Sequence, residues 1–245
     1  MNLSKLLRAG AMAAVAASML SLAVGCCSDC NKVAVPDNAD FYTEVNGKKT
    51  FDAKAAKAAY IDLCKKLGAP VYDRYLTEEG FLWAVDFAQG DFAKLGMGGL
   101  FWVNNRDKQY FAHEIFLLPG QSIAEHKHMP TVDDKGPLQA KHESWQVRYG
   151  SVYGFSEADK DHPANLDQFP QVKKQLSEMQ VPHLNCVHVE YWEADGQVHP
   201  LLIGKKPNAE TWHFMMGGPN GAVVSEYATY HDGNGLRFSC PNVAF

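Results

Sequence analysis

The chain has 245 residues, 46% hydrophobic and 21% charged, which suits one or two globular domains with a buried core and excludes a disordered, collagen-like or small disulfide-stapled protein. Its formal net charge of −5, from 23 basic and 28 acidic residues, gives no attraction to a polyanion, so no nucleic-acid partner is expected.

In chain order, Lys5 and Arg8 form a positive start, residues 9–24 are small or apolar without a charge, and Gly25-Cys26 follows. This predicts an export signal over residues 1–25. Ala23-Val24-Gly25-Cys26 resembles a bacterial lipoprotein cleavage box, which implies a lipid anchor at Cys26 and a cell-envelope, periplasmic or secreted location. Loss of the signal removes two basic residues and no acidic one, moving the formal charge from −5 to −7. Cys27 and Cys30 have a metal-like spacing but no second such pair, and Cys64, Cys186 and Cys240 allow at most one disulfide.

Residues 26–50 mix Pro, Asp, Asn and Gly and read as a linker or tether. A helical extension over 51–80 follows. Asp52 offers an N-cap, Ala56, Tyr60, Leu63 and Leu67 share a face, and Gly68 ends the helix at Leu67. From residue 81 short aromatic and β-branched runs alternate with Gly, Pro, Asn and Asp, the pattern of an all-β domain over 81–245. Expected strands are 81–86, 100–104, 110–118, 122–125, 144–149, 152–155, 186–192, 201–203, 212–216 and 222–230. Leu166, Phe169, Val172 and Leu176 predict an inserted helix over 166–179 despite Pro170.

Most of the ten histidines, among them His113, His162, His183, His188 and His199, need no more than a hydrogen bond. His126-Lys127-His128 differs, because residues two apart on a strand share a face and two imidazoles converge as a metal requires. Gly120, His126, His128, Glu143 and Gly150 in this order resemble the first motif of the cupin family. The resemblance implies a single jelly-roll barrel with two His and one Glu on a divalent metal. His213, in Thr211-Trp212-His213-Phe214, stands where the second cupin motif supplies another ligand. The departure is a spacer of fourteen residues between His128 and Glu143, where cupins have three or four. Three His and one carboxylate suit Mn, Fe, Zn, Ni or Co; a barrel without metal is the alternative.

A narrower resemblance rests on Trp83 to Phe92 with Leu95-Gly96, on Lys141-His142-Glu143 with Arg148, and on Glu226-Tyr227-Ala228-Thr229 with Asp232, Arg237 and Phe238. These look like the D-lyxose isomerase family of cupin-type sugar isomerases. The resemblance implies reversible aldose–ketose conversion of a free pentose or hexose, with manganese the usual ion. His126, His128, Glu143 and His213 would hold the ion and Glu226 would carry the proton. Lys141 would stabilise negative charge, and Asp232 and Arg237 would orient hydroxyls. Blander readings stand beside these: Lys141 solvated, Asp232 making a turn, Arg237 paired at the rim. Arg148 has the opposite strand parity to Glu143 and is left out of the site. The partners expected are a sugar, a membrane only through Cys26, and a second copy of the chain in a homodimer. Another metal cupin enzyme, such as an iron dioxygenase, or a non-catalytic ligand-binding envelope lipoprotein are the alternative functions.

Overall fold

A computed structural model describes residues 33–200 and 210–243. The export signal, Cys26, Cys27 and Cys30, and the expected strand at 201–203 lie outside the described residues. A short 3-10 turn, Asn38–Phe41, leads into a hairpin of β1 (Tyr42–Val45) and β2 (Lys48–Phe51). Asn46 and Gly47 both take positive φ there, as a two-residue hairpin requires. Phe41 is buried and Tyr42 Oη donates to an Asp86 carboxylate oxygen at 2.6 Å. The second half of the segment read as a tether is therefore docked on the domain. Its polar, mostly exposed strands conceal this, since only the ends reach the core.

The helix α1 (Ala53–Leu67) has the expected limits. Asp52 accepts from the backbone N–H groups of Lys54 and Ala55 at 3.0 Å, and Gly68, at φ +72°, closes the C-terminus. A short α2 (Asp73–Thr77) follows. The strands are β3 (Trp83–Asp86), β4 (Gly96–Asn105), β5 (Tyr110–Leu117), β6 (His126–His128), β7 (Thr131–Asp133), β8 (Gly136–Leu138), β9 (Glu143–Glu157), β10 (Cys186–Glu193), β11 (His199–Pro200), β12 (His213–Ala228) and β13 (Leu236–Phe238). One nine-stranded sheet runs β10-β9-β12-β5-β4-β3, with β11 on β9 and with β6 joined to both β12 and β13. This is the all-β, single cupin (jelly-roll) architecture, with α1 against its outer face. Alternation on β5 divides the core accordingly. Ile115 and Leu117 face the interior with Val147, Phe155 and Phe214, whereas Phe116 meets Tyr60, Leu63 and Val223 under the helix.

Three sequence expectations change. The runs at 144–149 and 152–155 are one strand, β9, and those at 212–216 and 222–230 are one strand, β12. Their glycines mark bends within long curled strands rather than turns between short ones, and register shifts occur at Gly217/Ala222 and Val223/Val224. Residues 122–125 form only bridges, through Ser122 to Leu95 and Met216. The inserted helix shrinks to a 3-10 turn at Leu166–Gln168 and α3 (Pro170–Gln175), because Pro170 lacks an N–H and fits only the first turn of a helix.

Gly150 takes φ +75° within β9, and a Cβ there would stand 2.1 Å from the Gly221 carbonyl oxygen. Gly150→Ala should cost about 3 kcal/mol or more in unfolding free energy, measured by denaturant titration.

Candidate metal and active site

The site begins with strand periodicity. His126 and His128 project from the same face of β6, and the register places His126 opposite His213 on β12. Glu143 opens β9 opposite Ala228. One ligand atom from each of His126, His128, Glu143 and His213 lies within 4.8 Å of the others.

Two backbone carbonyls orient the imidazoles. His126 Nδ1 lies 2.9 Å from the Ala124 oxygen and His213 Nδ1 2.7 Å from the Thr211 oxygen, so each Nδ1 carries the proton and each Nε2 presents a lone pair inward. His213 Nε2 then stands 2.7 Å from Glu143 Oε1, and His128 Nε2 3.4 Å from Glu143 Oε2; the two imidazole nitrogens and Oε1 make no hydrogen bond, while Oε2 is met by Lys141. Lone pairs converging in a buried space are repulsive unless a cation lies among them. The residues therefore fit a divalent metal. Burial lowers the pKa of His126 and His128, which keeps them in the neutral form a metal ligand must have.

The spacer after His128 explains how Glu143 reaches the site. β7 and β8 form a small hairpin held by two hydrogen bonds from Arg106 to Asp133, at 2.7 and 3.0 Å. The chain then turns inward at buried Ala140 and Lys141. Lys141 and Glu143, two apart, face the same interior, while His142 between them is exposed.

Lys141 Nζ sits 2.5 Å from Glu143 Oε2 and pairs with Glu226 Oε1 on β12. All three side chains are at least 94% buried. Burial alone would lower the lysine pKa, but the two carboxylates outweigh it and raise it. For Glu226, burial raises the pKa and Lys141 overrides it, so the net direction is down and the carboxylate stays ionised. His113 Nδ1 flanks Glu226 Oε2 at 3.6 Å.

A cavity of about 340 Å³ opens on this cluster and is lined by His126, His128, Lys141, Glu226, His113 and His231 together with apolar side chains. His113 and His231 were not identified as site residues from the sequence. His231 stacks on Phe111 at 5.3 Å, and Asn104 clamps its backbone through two hydrogen bonds of 2.9 and 3.0 Å. Burial, aided by Lys141, lowers its pKa to about 3. A second cavity, of about 290 Å³, lies under α2 and is lined by Trp102, Glu114 and Arg148 but by none of the four metal-type residues.

Two expected site residues are elsewhere. β12 ends at Ala228, so its face does not extend to Asp232. The Asp232 carboxylate instead accepts from Asn234 N–H at 3.0 Å and from Thr131 Oγ at 2.5 Å, making a turn and tying it to β7. On β13, Leu236 and Phe238 line the cavity, so Arg237 between them points outward, where it donates to the Asn234 and Leu236 carbonyls at 2.7 and 2.6 Å. Arg148 is outside as its parity requires.

No family model matches the chain. A D-lyxose/D-mannose isomerase of Thermosediminibacter oceani is 29% identical over 164 residues, covering 64% of this chain and 76% of the relative. A D-lyxose ketol-isomerase of a Thermofilum species is 27% identical over 190 residues, covering 78% of this chain and 92% of the relative. Among solved structures, the L-ribose isomerase of Cellulomonas parahominis without ligand superposes with a TM-score of 0.53 at 13% identity, over 77% of this chain and 91% of the other. This last likeness is one of fold.

Calorimetric titration with Mn²⁺ should show one site, and Glu143→Gln or His213→Ala should weaken it by at least about a hundredfold. Acid should destabilise the chelator-treated protein. His126, His128 and His231 have folded pKa values below the ordinary 6.5, so the unfolded chain takes up protons first and stability falls as pH drops below 6.5. Glu143 and Glu226, lowered from 4.5, add a further loss below that value. A melting temperature that stays level from pH 7.5 to pH 4 would contradict these environments.

Proposed function

We propose that the chain is a metal-dependent isomerase that interconverts an aldose and a ketose, acting on a free pentose or hexose. The observation that carries this reading is a cavity lined by His126, His128, an ionised Glu226 and Lys141, with the other two metal-type donors, Glu143 and His213, buried and their ligand atoms within 4.8 Å of those of the two histidines. The named activities of the relatives, found in chains aligned over most of their length, support it.

Aldose–ketose conversion moves one proton between adjacent carbons while hydroxyl and carbonyl exchange places. When bound, a divalent ion supplies Lewis-acid polarisation of the neighbouring carbonyl and hydroxyl oxygens of the open-chain sugar. Glu226 Oε2, the oxygen not paired with Lys141, takes the proton from the hydroxyl-bearing carbon and returns it to the former carbonyl carbon, while the hydroxyl proton passes to the adjacent, former carbonyl oxygen. Lys141 holds Glu226 ionised and in place, and as a lining residue of the cavity it can meet negative charge on a sugar oxygen. His113, at 3.6 Å, fixes the other side of the Glu226 carboxylate. Manganese as the ion, export with lipidation at Cys26, and a homodimer belong to the same proposal.

Metal-loaded protein incubated with D-lyxose, D-mannose and related aldoses should form the corresponding ketoses; no ketose with any divalent ion would overturn the reading. Glu226→Gln should lower kcat by about 10²- to 10⁴-fold with metal affinity retained. Arg237→Ala, outside the cavity, should leave kcat/KM within about twofold.

A further inference from the structure

The cavity wall carries a second kind of information, because its polarity falls off along the sheet. The metal-type donors and Glu226 sit on β6, β9 and β12, and β5 next to β12 adds His113. Beyond β5 come β4 and then β3, whose lining residues are Trp83, Val85, Met97 and Phe101, with Phe87 just after β3. The two strands are in register here, Val85 opposite Met97. Phe238 continues this surface, with its ring 5.9 Å from Phe87 and 6.2 Å from His126. Among the described residues of this wall, the only side-chain N–H is the indole of Trp83. That ring is wedged between His113, at 5.3 Å, and Gly99, where a Cβ would fall 2.6 Å from the indole carbons.

A sugar whose carbonyl end lies at Glu226 and Lys141 can set its far end against this wall, which lines the same cavity. Lys141 and Glu226 are committed to the reacting carbons, and His231, whose buried Nδ1 makes no hydrogen bond, sits at the Phe101 edge of the wall, 5.8 Å from that ring, and stacks on Phe111. A hydroxyl pressed against Val85, Phe87 and Met97 loses its hydrogen bonds to water without replacement, whereas a methyl group gains by burial there. Resting on the isomerase reading, we propose that the substrate is an aldose lacking the hydroxyl at the end remote from its carbonyl, a methyl-terminated sugar of the 6-deoxyhexose class. Val85, Phe87 and Met97 read that methyl group.

The test compares sugars that differ at one atom: D-mannose with 6-deoxy-D-mannose, L-mannose with 6-deoxy-L-mannose, and L-galactose with 6-deoxy-L-galactose, each with metal-loaded wild-type protein. In the pair whose configuration is accepted, the deoxy member should have the higher kcat/KM by about ten- to a hundredfold. Val85→Thr, which sets a hydroxyl in the wall at nearly unchanged volume, should narrow that ratio. Calorimetric titration with the matching hexitol and 6-deoxyhexitol supplies a readout independent of turnover, and the deoxy compound should bind more tightly. Equal or better turnover of the fully hydroxylated member overturns the inference and leaves the isomerase reading intact. No turnover of any sugar overturns the isomerase reading, and the alditol titration then decides the wall alone, with equal or tighter binding of the hydroxylated alditol counting against it.

Discussion

The site depends on one buried cation held between two buried carboxylates. Lys141 pairs with Glu143, which belongs to the metal-type donor set, and with Glu226, which faces the cavity. Each of these charges would be costly to bury alone, and each is retained because the others are there. Without Lys141, two nearly buried carboxylates would stand close together with no cation between them, and one would take up a proton. Either change would spoil the chemistry, since a protonated Glu143 is a poor ligand and a protonated Glu226 is no base.

The fold exists around that arrangement. Glu143 and Glu226 come from β9 and β12, which pair along most of their length and curl at Gly150 and at Gly217 to Gly221. Lys141 comes from the return of the β7–β8 hairpin. The long spacer after His128 thus delivers both a metal-type carboxylate and its neutralising cation to the same point. Asp232 serves this indirectly, by holding Thr131 of the hairpin.

What the sequence made legible follows from period and spacing. His126 and His128 are two apart on a strand, so backbone geometry predicts that they share a face, and Glu143 was added by the resemblance to the cupin motif, through its spacing from Gly150. α1 was legible because its cap, stripe and terminating glycine agree. With β12 ending at Ala228, the structure has the turn that stood as the alternative for Asp232, which entered the site only through the resemblance. The Gly-Asn-Gly after it was the sign that the strand had ended. Arg237 lies between Leu236 and Phe238, and that apolar-charged-apolar alternation on a short strand puts the charge outside. His113 and His231 were illegible as site residues. Nothing local separates an imidazole that lines a cavity from one that does not, and only the strand order brings β5 and the segment after β12 to the same mouth.

In the proposed isomerisation Glu226 carries a proton between adjacent carbons of the substrate. Running the isomerisation in D₂O and reading the ketose by NMR and mass spectrometry tests it most directly. Exchange at Glu226, whose carboxylate borders the open cavity, predicts deuterium at the carbon that receives the proton, with rate and label lost together in Glu226→Gln. Ketose formed without label by the wild-type protein, at a rate Glu226→Gln leaves unchanged, would contradict it.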